Sequence, residues 1–174
     1  MVEALKILHS YNIVHRDLKL ANILITDDYK LKLADFGFSK EAEGLLKSFC
    51  GTPLAMAPEI LNRQEYDSKC DVWSLGVLTY MMIYNKPPFF PSKEYGYGIL
   101  GVTNVVSKTK HKFDDKIKVS EEAKSFLNAC LEKDPKNRPS MVDLLSHAWF
   151  DGIELGQVSK INTGIIGKSL SDES

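Results

Sequence analysis

Residues 15–22 read HRDLKLAN, and residues 35–37 read DFG. Two short apolar runs, residues 22–26 and 30–34, lie around an acidic turn between these motifs, and the second run alternates lysine with leucine. Alternation of this kind predicts a β-hairpin. The hairpin would bring an aspartate from each motif and Asn22 to one loop edge. The sequence therefore predicts a cluster of oxygen-bearing side chains there.

The chemistry of this cluster favours phosphoryl transfer. Magnesium takes oxygen ligands from one or two side chains together with substrate phosphates, and Asn22 and Asp35 can supply such oxygens. Asp17 is then left to accept a proton. Lys19 lies two residues further on and can offset negative charge on a phosphoryl group during its transfer.

The two motifs resemble the catalytic loop H-R-D-L-x-x-x-N and the metal-binding D-F-G of eukaryotic protein kinases. Residues 57–59, APE, would close an activation segment of 25 residues that begins at Asp35. Residues 71–76 resemble the central buried helix of the family, and residues 134–140 resemble the approach to its last helix. The resemblance covers residues 1–150 and implies a serine/threonine kinase that uses ATP and Mg²⁺.

The resemblance also implies roles for individual residues. The implied catalytic residues are Asp17, Lys19 and Thr52, and the implied ATP-binding residues are Lys19, Asn22, Leu24 and Asp35, with Asn22 and Asp35 as magnesium ligands. Leu24 would touch the adenine ring, although core packing alone also explains it. Leu78 and Met82 resemble the core beneath Leu24.

Further residues are given regulatory or structural roles by the resemblance. Arg16 would pair with a phosphate on Ser48, although Ser48 also fits an ordinary loop serine. The implied structural residues are His15 and Phe36, which stack, Asp71, which holds the catalytic loop, and Glu59 and Arg138, which form an ion pair. Ala55 departs from the family pattern, in which an aromatic residue is usual.

The fold expected from this resemblance is helix-rich and mainly α. It is the C-terminal lobe of the kinase fold with short β-hairpins, and the N-terminal lobe is missing because only fourteen residues precede His15. Residues 96–101 match G-x-G-x-x-G literally, but a lone match is weak evidence and we expect a surface loop. Residues 151–174 are expected to form a flexible tail.

Composition limits the possible partners. The 174 residues carry 22 Lys and Arg against 23 Asp and Glu, so a bulk attraction to nucleic acid is not indicated. The lysine-rich residues 108–118 are interrupted by two aspartates and predict a solvated loop. The longest apolar stretch, residues 72–84, is shorter than the ~20 residues of a membrane span, so no membrane association is expected.

The cysteines indicate the cellular compartment, and two short stretches of sequence bear on the kinase subgroup. Three cysteines without a CxxC pair indicate a reducing compartment, so we expect a cytoplasmic location, with the nucleus as an alternative. Residues 147–150, HAWF, are most similar to the calcium/calmodulin-dependent kinase group. Ala21 stands where basic-directed kinases often place an acid, so no arginine-directed substrate is predicted.

Three functional hypotheses remain open from the sequence. The first is an enzyme that acts on serine or threonine in protein substrates once a missing N-terminal lobe or a regulatory protein completes it. The second is a catalytically silent module that binds or scaffolds other proteins. The third is an incomplete copy of a longer gene product. Intact Asp17, Lys19, Asn22 and Asp35 favour descent from an active enzyme.

Overall fold

The computed structural model describes residues 1–41 and 44–153. The tail predicted for residues 151–174 lies outside the described residues from position 154 onward. The elements, in chain order, are α1 (Val2–Ser10), β1 (Ile13–Val14), β2 (Ile23–Ile25), β3 (Leu31–Leu33), β4 (Lys40–Glu41), α2 (Pro58–Leu61), α3 (Lys69–Tyr84), α4 (Gly98–Lys108), α5 (Glu121–Cys130) and α6 (Met141–Leu145). Short 3₁₀ turns cover Leu20–Asn22, Pro53–Ala55 and Ala148–Phe150. The described fold is helix-rich with a few short strands, in agreement with the expected fold class.

Two antiparallel strand pairs arrange the segments around the predicted site. β2 pairs with β3 in the register Leu24 opposite Lys32, which confirms the predicted hairpin. β1 pairs with β4, and Val14 lies opposite Lys40. The second pair brings the chain after residue 37 back beside the loop that follows β1.

Helix α3 lies at the centre of the described fold because its sequence is apolar on all sides. Val72 and Leu75 contact α1, α5 and α6 in one apolar cluster, whereas Trp73 and Val77 belong to a second cluster with α2 and α4. The helix ends at Asn85, whose backbone has a φ of 51°. Within the described residues no helix has both the length and the apolar character needed to cross a membrane.

A glycine allows α3 and α5 to cross closely. A Cβ atom on Gly76 would lie 2.5 Å from the Cβ of Cys130 and 3.1 Å from a methyl carbon of Leu131. Carbon atoms attract best at separations of about 3.5–4.0 Å, so a methyl group does not fit at Gly76.

The structure corrects the loop predicted for residues 96–101. Gly98 begins helix α4, and Gly101 is buried in its first turn, where a side chain would overlap the Gly96 carbonyl. The apolar pattern typical of a helix begins only after Gly101, where Val102, Val105 and Val106 are buried at spacings of three and four. Glycines at the start of the helix hid this pattern.

Two further expectations need correction. Met82 was expected in the core with Leu78, but 59% of Met82 is exposed while Leu78 is buried. Met82 lies on a part of α3 that the described residues do not cover. Ser140 can cap a helix, and the sequence predicts one over residues 140–148. Helix α6 is shorter and ends at Leu145, because the His147 ring accepts a hydrogen bond from the Trp149 amide and a separate 3₁₀ turn begins there.

Candidate active site

A buried carboxylate holds the backbone of the catalytic loop, residues 15–22. The amides of His15 and Arg16 each donate to a different oxygen of Asp71 at 2.8 Å. The His9 ring nitrogen Nε2 lies 2.9 Å from the same carboxylate and approaches it from α1. Asp71 thus accepts hydrogen bonds from two consecutive amides of this loop. The sequence did not single out His9. Its position in the last turn of α1 is the one feature that could have indicated this contact.

The activation segment, residues 35–59, crosses the catalytic loop at Gly51. Arg16 has a φ of 69°, and a Cβ atom on Gly51, whose φ is 105°, would lie 2.5 Å from the Arg16 carbonyl oxygen. Only glycine combines this backbone conformation with this close approach. Thr52 follows directly and is thereby brought over Asp17.

The Asp17 carboxylate is the centre of a hydrogen-bonded cluster. It accepts from Lys19 Nζ at 2.5 Å, from Thr52 Oγ1 at 2.9 Å and from Asn22 Nδ2 at 3.2 Å. Asn22 Nδ2 also donates to the Asp17 carbonyl at 2.9 Å. The structure therefore brings together four residues that the sequence singled out.

The environment of Asp17 sets its charge. Burial acts to raise its pKa, but the hydrogen bonds from Lys19, Thr52 and Asn22 outweigh burial, and the net pKa lies below the ordinary value. Asp17 is consequently ionised near neutral pH. An ionised carboxylate can accept a hydrogen bond from an incoming hydroxyl group.

His15 is fully buried and serves the packing of the loop. Its ring lies 5.3 Å from that of Phe36 in an edge-to-face arrangement. Nδ1 accepts from the Asp17 amide at 3.3 Å, which leaves the proton on Nε2, 3.3 Å from the Ala34 carbonyl. Burial lowers the pKa of His15, so the neutral ring is favoured.

Asp35 and Asn22 offer oxygen atoms to a cation. Asp35 has a φ of 60°, and its Oδ1 accepts from the Gly37 amide at 3.1 Å. Among the described residues, no hydrogen bond engages Asn22 Oδ1 or Asp35 Oδ2. The described part of the chain contains no group of three or more His, Cys, Asp or Glu side chains able to hold a metal. This donor set fits a magnesium ion that takes its other ligands from phosphates and water.

An apolar surface lies beside the cluster. Leu24 is 53% exposed on one face of the β2–β3 hairpin, and Ile25 and Leu31, which pair with each other, are exposed on the opposite face. A groove of about 240 Å³ lies between the start of α1, α3 and the 3₁₀ turn Ala148–Phe150, and its lining includes Leu31, Leu78 and Met82. Exposed apolar surface of this kind marks a contact region for a ligand or another protein segment.

Arg16 and Ser48 are linked through a residue that the sequence analysis missed. Arg16 Nη1 donates to the Tyr66 hydroxyl at 3.3 Å, and this hydroxyl donates to the Ser48 carbonyl at 2.9 Å. Arg16 Nε also donates to the Phe38 carbonyl at 2.5 Å. No local pattern marks Tyr66, because its partners are 18 and 50 residues away.

Glu59 and Arg138 form a buried bidentate ion pair. Arg138 Nη1 and Nη2 lie 2.7 and 3.0 Å from the two Glu59 carboxylate oxygens. Arg138 also donates to the Lys69 carbonyl at 2.9 Å and lies over the Trp73 ring at 5.2 Å. The pair joins the end of the activation segment to the segment before α6.

Comparison with known proteins identifies the family. The family model described as the protein kinase domain matches residues 1–150. The chain belongs to the protein kinase family. This assignment agrees with the resemblance that the catalytic-loop and DFG motifs predicted.

The relatives to which this chain is similar include serine/threonine-protein kinases. Serine/threonine-protein kinase pakG of Dictyostelium discoideum is 41% identical over 157 residues, which cover 84% of this chain and 12% of the relative. MAP kinase-activated protein kinase 2 of Cricetulus longicaudatus is 37% identical over 84% of this chain and 46% of the relative. Calcium/calmodulin-dependent protein kinase type 1B of Rattus norvegicus is 37% identical over 86% and 44%. The chain thus spans less than half the length of each of these relatives.

Proposed function

We propose that this chain forms the C-terminal lobe of a serine/threonine protein kinase, which transfers the γ-phosphoryl group of Mg-ATP to protein substrates. The observation that carries the proposal is the cluster in which Lys19, Thr52 and Asn22 all bind the Asp17 carboxylate. A carboxylate, a lysine and an amide at one loop edge match the requirements of phosphoryl transfer.

Asp17 orients the substrate hydroxyl in this proposal. Its carboxylate accepts a hydrogen bond from the serine or threonine hydroxyl. It takes the hydroxyl proton as the bond from that oxygen to the γ-phosphorus forms and the bond from the γ-phosphorus to the bridging oxygen of ADP breaks, so that ADP leaves. Because its pKa is low, Asp17 is a weak base, and its main contribution is orientation. Thr52 and Asn22 hold the carboxylate in one position.

Lys19 stabilises negative charge on the phosphoryl group during transfer. Its ammonium group is held at Asp17 but remains about one-third exposed, so it can reach a group bound outside the loop. Asn22 Oδ1 and Asp35 would hold Mg²⁺, which neutralises phosphate charge when bound. These residues act through positioning and electrostatics, the main sources of catalysis in phosphoryl transfer.

ATP binding needs a second lobe in this proposal. Leu24 would lie below the adenine ring, and its exposure leaves that surface open to a ligand. The second lobe would come from further sequence of the same protein or from a regulatory protein. The partial coverage of the relatives supports this reading. The three free cysteines are consistent with a cytoplasmic or nuclear setting.

Phosphorylation of Ser48 would regulate the site. Ser48 is exposed, and Arg16 lies on the other side of the Tyr66 hydroxyl. A phosphate adds close to two negative charges and three acceptor oxygens, which suit a guanidinium. The paired phosphate would order the activation segment.

A silent scaffold module is the alternative function. Exposed apolar residues on both faces of the β2–β3 hairpin favour it, Leu24 on one face and Ile25 and Leu31 on the other, because such residues can contact other proteins as well as a nucleotide. In that case the chain would keep the Asp17 cluster but would catalyse no phosphoryl transfer.

A fusion protein tests the proposal. A kinase N-terminal lobe with its hinge is joined ahead of Met1, and the fusion is assayed on serine, threonine and tyrosine peptides. We expect transfer to serine and threonine, a loss of at least about a hundredfold in Asp17→Asn, and little change in the exposed control Asp27→Asn. A folded fusion that binds Mg-ATP but transfers no phosphate would favour the scaffold module.

A further inference from the structure

Tyr66 connects three parts of the candidate regulatory site. Its side chain is buried, and its hydroxyl lies between Arg16 Nη1 and the Ser48 carbonyl. Its backbone forms a two-way bridge with Leu46, with hydrogen bonds of 2.7 and 3.0 Å. Tyr66 therefore fixes the course of the activation segment just before Ser48.

The charge of Arg16 has no acidic partner among the residues that the structure describes. Its hydrogen bonds there go to neutral acceptors, the Phe38 carbonyl and the Tyr66 hydroxyl, and no carboxylate lies within ion-pair distance. A partly buried guanidinium without a counter-charge favours the binding of an anion. Nη2 is not engaged by any described hydrogen bond and remains able to donate.

We propose that Tyr66 is a positioning residue that directs Arg16 toward a phosphate on Ser48. The proposal rests on the Arg16–phosphoserine pairing of the proposed function and adds the residue that makes this pairing geometrically possible. The Tyr66 hydroxyl accepts from Nη1, which fixes the plane of the guanidinium and leaves Nη2 for the phosphate. The same hydroxyl donates to the Ser48 carbonyl, which anchors the backbone while the Ser48 side chain stays exposed.

The hydroxyl can perform both tasks because it keeps its proton. Burial raises the pKa of Tyr66, and this effect outweighs the opposing influence of Arg16. A protonated hydroxyl accepts from Arg16 and donates to Ser48 at once. Phenylalanine would preserve the buried ring and remove both bonds.

The experiment compares the 174-residue chain with serine or phosphoserine at position 48. The variants are Tyr66→Phe, Arg16→Ala, the double variant, and the control Tyr80→Phe, whose hydroxyl donates to the distant Lys112 carbonyl. The readouts are amide hydrogen exchange over residues 47–50 and the ³¹P resonance of the phosphoserine. Each variant is compared with its own unphosphorylated form, so a general loosening of the fold cancels.

We expect phosphorylation to slow exchange about tenfold in the wild type and in Tyr80→Phe, as a charge-assisted hydrogen bond would. Arg16→Ala should abolish this protection, Tyr66→Phe should remove most of it, and the double variant should lose no more than Arg16→Ala. In the folded wild type, the ³¹P resonance should differ from its position in the unfolded chain. In both single variants it should lie closer to the unfolded position.

Two different results would contradict the proposal, and they separate the role of Tyr66 from the Arg16–phosphate pairing. Full phosphate protection and an unchanged ³¹P resonance in Tyr66→Phe, with both lost in Arg16→Ala, would overturn the role of Tyr66 and leave the pairing intact. Absence of protection in the wild type, or protection that survives Arg16→Ala, would overturn the Arg16–phosphate pairing itself and the role of Tyr66 with it.

Discussion

Glu59 and Arg138 lie 79 positions apart in the sequence and form a buried ion pair. Arg138→Ala leaves the Glu59 carboxylate buried without its counter-charge, and the expected cost is about 3–5 kcal/mol of unfolding free energy. That is a large part of the roughly 5–15 kcal/mol of a typical domain. Denaturant midpoints measure it, with the exposed Lys112→Ala as control. Equal midpoints for the two variants would contradict a stabilising pair.

The buried imidazole of His15 predicts a pH dependence of stability. Burial lowers its pKa in the folded chain, whereas the unfolded chain has the ordinary value of 6.5. The unfolded chain therefore binds more protons as the pH falls, so the stabilisation is complete above pH 6.5 and is lost as the pH falls through the lower folded value. The pKa of His111 is also lowered by burial, and His111 contributes in the same direction.

His15→Phe tests this dependence, because it keeps a buried ring beside Phe36 and removes the titrating group. We expect the denaturant midpoint of this variant to fall less steeply than that of the wild type between about pH 7 and pH 5. His111→Phe serves as the matched control that retains the His15 contribution. A slope in His15→Phe as steep as in the wild type would contradict the assignment.

Short-range motifs predicted most of the central cluster at the level of single residues. Asp17, Lys19 and Asn22 lie within one loop, so their spacing alone brings them together. His9 and Tyr66 could not be predicted in this way, because each contacts its partner only after distant elements pack. The left-handed backbone of Asp35 was likewise invisible in the sequence.

Helices and strands could be predicted where the hydrophobic pattern of the sequence is strong and uninterrupted. The β2–β3 hairpin shows alternation around an acidic turn, and α3 shows a continuous apolar run. Helix α4 was hidden by glycines at its start, because glycine normally weakens a helix. Its valines pack well enough to overcome that cost.

The crossing of α3 and α5 gives a prediction at this scale. Gly76→Ala places a methyl carbon within 2.5 Å of Cys130 Cβ, so the helices must separate or the backbone must shift. We expect a loss of about 1–3 kcal/mol of unfolding free energy despite the better helix propensity of alanine. Thermal or denaturant unfolding measures it, with the exposed Ser125→Ala on α5 as control. A Gly76→Ala variant as stable as the wild type would show that the crossing is not tight.

For the whole molecule, composition and the order of the motifs predicted a helix-rich kinase domain and nothing finer. The sequence could not show which apolar residues are covered, because coverage depends on what lies against each helix. Met82 illustrates this limit, since its helix is apolar throughout and Met82 is nevertheless exposed. Leu31 lines the same groove as Met82. Leu24 is exposed on the opposite face of the β2–β3 hairpin, because it pairs with Lys32 rather than with Leu31.

The central proposal is that this chain supplies the catalytic and metal-binding groups of a serine/threonine kinase, and that a second lobe must cover the adenine and hold the α- and β-phosphates before transfer can occur. Phosphoryl transfer to a serine peptide, measured side by side for the unfused 174-residue chain and for its fusion to a kinase N-terminal lobe, tests this claim most directly. We predict no measurable transfer by the unfused chain and clear transfer by the fusion, because positioning is restored only in the fusion. Turnover by the unfused chain, or none by a folded fusion that binds Mg-ATP, would contradict the claim.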